Sequence, residues 1–473
     1  MANLIEQQPL FTTFPVGQDI IFSISNASVF QIPFVNVKFI ADVYISDEAI
    51  VISSGIGFVG SFKTTPNAVG VGMFDLSSIV ESFVNPDNLA GIGSGYKSET
   101  ASIERPIPLH LINEYSTNNN TLKYLSIRFK VEGALLLDEP AQVLTGQGVS
   151  TTEYTFFNGY LKHTDKLSIN TIGNFGYSTN LFQLNTVNPS IRKYLSNAPT
   201  TQYANATDYG TISYLTTPVA GFEAETTLKT IRMQFYDIDD SLLTTVSASN
   251  NLTQGGFFPY TTSTKNQLLH FGCFPGNLQN YSTNVQTIIA NNSLSYYKIT
   301  PLNKASDQIG EVITIKLNCP NLKGYEPIRL TWLNQWGVWD YYTFTQLSSK
   351  SISTKGSTYQ QLEGTWNKKI YQVNGFKGGK KSFRVNATEK IKMNTDFVSE
   401  TESEWFEELI NSPEVYILEG YEDIVENRLA LNQYVTPVRL TTSNYVRKTV
   451  ANDKLIQYTF EVEKSKTLRT QAV

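Results

Sequence analysis

Along this chain, apolar side chains alternate with polar ones over short runs that turn residues separate. Residues 18–25 (QDIIFSIS) and 35–46 (VNVKFIADVYIS) are rich in β-branched and aromatic types; in the second, Val37, Phe39, Ala41, Val43 and Ile45 alternate with Lys38, Asp42 and Tyr44. A period of two predicts a half-buried strand with one dry face. Residues 122–131 alternate in the same way, and further strands are predicted at 211–215, 230–236, 295–299, 312–317 and within 436–462. Residues 328–333 and 338–344 flank Asn334-Gln335-Trp336-Gly337 as a hairpin.

Helical spacing is confined to three stretches. Residues 75–83 place Leu76, Ile79, Val80 and Phe83 on one face behind Asp75 as cap, and residues 189–197 form a second short candidate. The strongest is 402–411, where Trp405, Phe406, Leu409 and Ile410 make one apolar stripe, acidic residues fill the first turn, and Ser399 or Thr401 can cap. Turn signals recur at the spacing of β-sandwiches and barrels. The expectation is a mainly β protein: several β-sandwich or β-barrel-like domains in series with a few short helices.

Length and charge refine that picture. At about 100–200 residues per domain, 473 residues suggest three domains, and charge is unevenly spread: residues 321–473 hold 20 of the 37 basic and 18 of the 42 acidic side chains, with all five tryptophans. The expected division is 1–140, 141–320 and 321–473, the last a β-rich domain with one short helix near 402–411, and with 132–150 read as a linker. The net charge of −5 and no Lys/Arg cluster read as a basic stripe argue against a specific nucleic-acid site. The start, MANLIEQQPL, lacks a basic-then-apolar leader, and the longest aliphatic run, Ala134-Leu135-Leu136-Leu137, is too short to span a membrane. A soluble protein made in a cytoplasm is expected. Cys273 and Cys319 are expected as two buried thiols rather than a disulfide framework.

Candidate chemistry is sparse. His110, His163 and His270 stand apart with no paired or ligand spacing, and residues 91–95 form a glycine-rich loop without a strand–helix setting. The acidic run Asp237-Ile238-Asp239-Asp240 lacks the glycine and distal glutamate of a calcium loop and reads as a β-turn. No catalytic, cofactor or metal residues are therefore assigned, and no enzymatic activity is expected. The most distinctive block is Trp332, Trp336, Trp339, Tyr341, Tyr342 and Phe344, with Trp405 on the predicted helix. Such rings either fill cores, anchor a protein interface or stack on sugars. Loops at 91–95, 118–120 and 375–379 are candidate contacts to neighbours.

The block Ile328-Arg-Leu-Thr-Trp-Leu-Asn-Gln-Trp-Gly-Val-Trp-Asp-Tyr-Tyr-Thr-Phe344 resembles an R-x-x-W-L-N-x-x-G-x-x-D-Y-[FY]-x-F signature in virion structural proteins of tailed phages of Bacteroidetes, including crAss-like phages. Residues 38–44, 74–83, 193–203, 404–416 and 453–458 look similar in the same order, so the resemblance spans most of the chain. Trp336 and Trp339 depart from the smaller residues common there. The resemblance implies a structural subunit of a virion tail, neck or tail hub, assembled in the host bacterial cytoplasm with other tail proteins as a homo-oligomeric ring around the DNA ejection channel. It brings no catalytic residues. A second reading is a receptor-recognition or carbohydrate-binding tail protein with the tryptophan hairpin exposed, and a third a polysaccharide depolymerase using unrecognised carboxylates.

Overall fold

A computed structural model describes residues 3–27, 34–48, 50, 52–91, 107–117, 120–162, 194–217, 223–250, 253–254, 258–259, 266–318, 324–419, 434–442, 445–446, 456–466 and 468. The protein is mainly β, built from several separate sheets with a few short helices. It divides into two compact units, Met1–Asn318 with Leu333–Asp340, and Cys319–Trp332 with Tyr341–Val473.

The first unit opens on a sandwich-like pair of sheets. One has the strand order Leu4–Gln7, Ile21–Ser25, Val71–Asp75; the other runs Thr13–Gly17, Tyr154–Tyr160, Leu122–Ala134, Val35–Ser46, Phe58–Thr64. Phe22, Ile24 and Phe74 from the first sheet meet Phe39, Val43, Ile127 and Phe129 from the second in one fully buried cluster. Strand Val35–Ser46 differs from expectation, since residues 39–45 are buried on both faces rather than one. Its other face holds Asp42, which accepts from Ser61 Oγ at 2.5 Å and pairs with Lys130, so the carboxylate is compensated where it is buried.

One expected boundary, with the linker read across it, dissolves in this unit. The presumed linker 132–150 carries strands Gln142–Val143 and Val149–Ser150, which fold back onto Leu122–Ala134. Strand Tyr154–Tyr160 joins the same sheet, and Tyr115–Thr117 pairs with Gln267–Gly272, itself paired with Thr211–Thr216. Residues 1–140 and 141–318 are thus one unit, because ladder hydrogen bonds cross the break at 140. One division between the units falls at 318/319, and Leu333–Asp340 return to the first unit.

A five-stranded sheet ordered Thr201–Ala204, Ile313–Leu317, Tyr296–Leu302, Thr230–Tyr236, Leu242–Ser249 completes the first unit, with helices Pro275–Tyr281 and Thr283–Ala290. Both helices are absent from the sequence-based expectation. Pro275 starts the first, and the Ser282 side chain accepts from Val285 N to start the second. The helix expected at 75–83 is shorter, Ser77–Glu81; Asp75 ends a strand, and its carboxylate accepts from Ser77 N while the cap position is Leu76. Of the candidate helix 189–197, residues 189–193 lie outside the described residues and 194–197 are not helical.

The second unit is a seven-stranded sheet, ordered Trp339–Phe344, Ile328–Leu333, Val415–Leu418, Val435–Leu440, Thr459–Lys464, Gly379–Asn394, Ser349–Gln361. Helix Glu400–Asn411 seals it with Trp405, Phe406 and Leu409. Ser399 is its cap, accepting from Glu402 N while Glu402 accepts from Ser399 N, a reciprocal box that satisfies two backbone donors. Ser399→Ala is expected to lower unfolding free energy by about 1 kcal/mol, read as a shift in the urea midpoint with unchanged slope. Among the described residues, no helix is long and apolar enough to cross a membrane.

Candidate interaction site

The tryptophan block folds as the expected hairpin, whose strands and tip fall in different units. In the second unit, Trp332 lies 4.9 Å from Trp405 and 6.3 Å from Phe406, and Phe344 and Phe460 close the same aromatic cluster. Tyr342 is half-buried, stands edge-on to Phe406 at 4.9 Å, and its phenol is raised by burial. Arg329 is buried beside them, donating to Thr343 Oγ1 at 2.8 Å and lying over the Tyr341 ring at 5.1 Å.

The hairpin tip, 333–340, belongs to the first unit. Trp336 and Val338 pack with Leu122, Phe157, Leu195 and Leu268. Trp339 donates from Nε1 to the Asp87 carbonyl at 2.9 Å and meets His110 edge-on. Asn334 holds the turn together: its Oδ1 accepts from Trp336 N and Val338 N, and its amide donates to Leu195 O and Asp340 Oδ1. Asp340 also accepts from Ser196 Oγ at 2.6 Å. Trp332, Trp336, Trp339, Tyr341, Phe344 and Trp405 are all buried and Tyr342 is half-buried, so the tryptophans of the block present no face for sugar stacking.

The histidines are better connected than their spacing suggested. His270 Nδ1 shares a hydrogen bond with Ser213 Oγ at 2.8 Å, and its Nε2 lies 3.1 Å from Asp87 Oδ2. A Ser–His–Asp chain of this kind activates a nucleophile only where a substrate carbonyl can reach the hydroxyl. Here all three side chains are at most 3% exposed, and Ser213 sits directly across the ladder from His270. The chain is a tie joining three segments of the first unit. His270→Leu, which strands a buried carboxylate and a hydroxyl, is expected to cost about 2–3 kcal/mol in urea unfolding. Burial likewise pushes the Cys273 thiol up, away from reactivity; Cys319 and His163 lie outside the described residues. No group of three or more metal-ligating side chains converges among the described residues.

The surface that stands out is one that sequence patterning missed. Strands Ser349–Gln361 and Gly379–Asn394 pair over their whole length, from Ser349↔Lys392 to Gln361↔Gly379. Their next neighbour, Thr459–Lys464, reaches only the Lys390–Asn394 end of the second strand, and an isolated bridge joins Ala387 to Leu468. Beyond that, among the described residues, the two strands run on without a further partner strand as an arm of roughly 26 Å, at about 3.3 Å per residue. Along the ladder, Ile352 and Val385 share one face, Lys355 and Arg384 the other, and all four are exposed.

The tip of the arm, 362–378, holds its shape through its own bonds. Thr365 Oγ1 donates to Ile370 O and accepts from Gln372 N, and Trp366 meets Tyr371 edge-on at 5.7 Å. Leu362, Trp366, Ile370, Val373 and Phe376 are each 63–73% exposed. Residues 349–394 hold ten basic and two acidic side chains, a net charge of +8 in a chain of −5. Lys355, Lys368, Lys369 and Lys380 are exposed and make no ion pair among the described residues. The expectation of no Lys/Arg cluster is therefore corrected: the cluster exists, spread over two strands and a loop that the fold gathers into one arm. The loop 375–379, expected to meet neighbours, lies at its tip; of 91–95 and 118–120 only Gly91 and Asn120 are described.

No family model matches the sequence, and no curated protein matches it.

Proposed function

We propose that this chain is a non-catalytic structural subunit of a bacteriophage virion tail, neck or tail hub, assembling with other tail proteins around the DNA ejection channel. The observation that carries the reading is the arm at 349–394. A two-stranded ribbon is marginal in water unless something packs on it, and this one exposes apolar side chains along one face and at its tip. Such an element is what a subunit brings to an assembly, and the segment resemblance to virion structural proteins points to the same setting.

Mass spectrometry of purified virions tests it, with the protein expected at a copy number consistent with a ring. Its absence from mature particles would overturn the reading. A second reading, glycan recognition, now rests on the exposed Trp366–Tyr371 pair rather than on the buried hairpin. Binding to a surface-glycan panel that Trp366→Ala and Tyr371→Ala abolish would favour it.

A further inference from the structure

We infer that the arm at 349–394 docks on a second copy of this chain, at the turn formed by residues 135–139. The inference rests on the reading of the chain as an assembly subunit and names its contact. Leu135, Leu136 and Leu137 form a run of three consecutive exposed leucines, 61–77% accessible, followed by exposed Asp138 and Glu139. A single exposed leucine needs no explanation, but a contiguous apolar run rimmed by charge marks an interaction surface.

The two surfaces complement each other twice over. Leu362, Ile370, Val373 and Phe376 on the arm offer apolar area to the leucines. Lys368 and Lys369 between them offer charge to Asp138 and Glu139. The wider field agrees: the arm carries +8, whereas the first unit, which contains the turn, has 17 basic and 25 acidic side chains, a net charge of −8. Complementary fields of this size steer encounter and set register. Nucleic acid is the poorer occupant, because phosphates would satisfy the lysines and a base could stack on Phe376, but aliphatic Leu362, Ile370 and Val373 would be left with nothing to pack on. Since arm and turn are different patches, the contact is heterologous, and repeated it closes a ring or grows a filament.

Sedimentation velocity on the full chain tests this at low and at high salt. Concentration-dependent oligomers are expected at low salt, shifting toward monomer as salt is raised. K368E/K369E and D138K/E139K should each weaken self-association about tenfold or more, and the chain carrying both reversals should regain it. L135S/L136S/L137S should weaken it as well, with salt sensitivity retained. An unchanged near-ultraviolet circular dichroism spectrum shows that each variant is folded.

A wild-type chain that stays monomeric at low salt would overturn the inference, as would association indifferent to the arm or turn variants. So would arm-dependent binding of a duplex or single-stranded DNA oligonucleotide by a chain that remains monomeric. Detection in virions would stand in any of these cases, so failure here is distinguishable from failure of the tail-subunit reading.

Discussion

Trp332→Ala is expected to lower the stability of the second unit by about 3–5 kcal/mol, the range for deleting a fully buried indole. Trp332 has no exposed surface and touches the two rings, Trp405 and Phe406, by which helix Glu400–Asn411 adheres to its sheet. Truncation removes the transfer energy of the ring and leaves a cavity bounded by the sheet, which cannot collapse, and by a helix, which can shift only by losing its own contacts. Trp332→Phe provides the contrast. The indole Nε1 is buried without a hydrogen-bond partner among the described residues, so the phenyl ring loses area but also removes an unsatisfied donor, and the expected cost is about 1 kcal/mol. Hydrogen exchange followed by mass spectrometry separates the units. Faster exchange should appear in Ile328–Leu333, Val415–Leu418 and Thr459–Lys464, while the sheets of the first unit keep their protection. Equal loss of protection in both units would refute the assignment of Trp332 to the second core.

How much of this was legible in the sequence depends on what each element buries. The strand at 35–46 and the hairpin at 328–344 announce themselves because apolar residues alternate along them, and Asn334 and Gly337 mark the turn between. The arm does not, since Ser351, Ser353, Thr354, Lys355 and Ser357 meet water on both faces and no hydrophobic period survives. Its signal is charge, ten basic residues against two acidic, diluted when summed over the last third of the chain. Helices Pro275–Tyr281 and Thr283–Ala290 were hidden for a related reason: Asn, Gln and Thr make up seven of their 15 residues, and their caps, Phe274–Pro275 and Ser282, speak only when the neighbouring apolar residues are known to be buried. The candidate site illustrates the same limit. Composition identified the tryptophans as the distinctive group, yet those of the hairpin are buried, because its strand places Trp332 in the second unit and its tip places Trp336 in the core of the first.

Gly337→Ala is expected to cost about 3–5 kcal/mol, from two terms that act together. Gly337 has φ +74°, the left-handed region that a Cβ disfavours by about 1–2 kcal/mol. A Cβ at this position would also lie 1.8 Å from the Asn158 carbonyl oxygen and 2.6 Å from its carbon, both backbone atoms of strand Tyr154–Tyr160 that cannot swing aside. Relief requires the turn to lift. The bonds that seat it there, Gln335 O accepting from Tyr160 N, Gln335 Nε2 donating to Tyr160 O, and Asn334 Nδ2 donating to Leu195 O, would be lost together with the Trp336 packing. Gly146→Ala separates the two terms, for Gly146 has φ +76° but no atom within 4 Å of where a Cβ would stand, so only the conformational cost of about 1–2 kcal/mol applies. Urea unfolding of both variants reads the difference directly, and similar losses at the two glycines would mean that the close approach of the turn to Asn158 contributes nothing to stability.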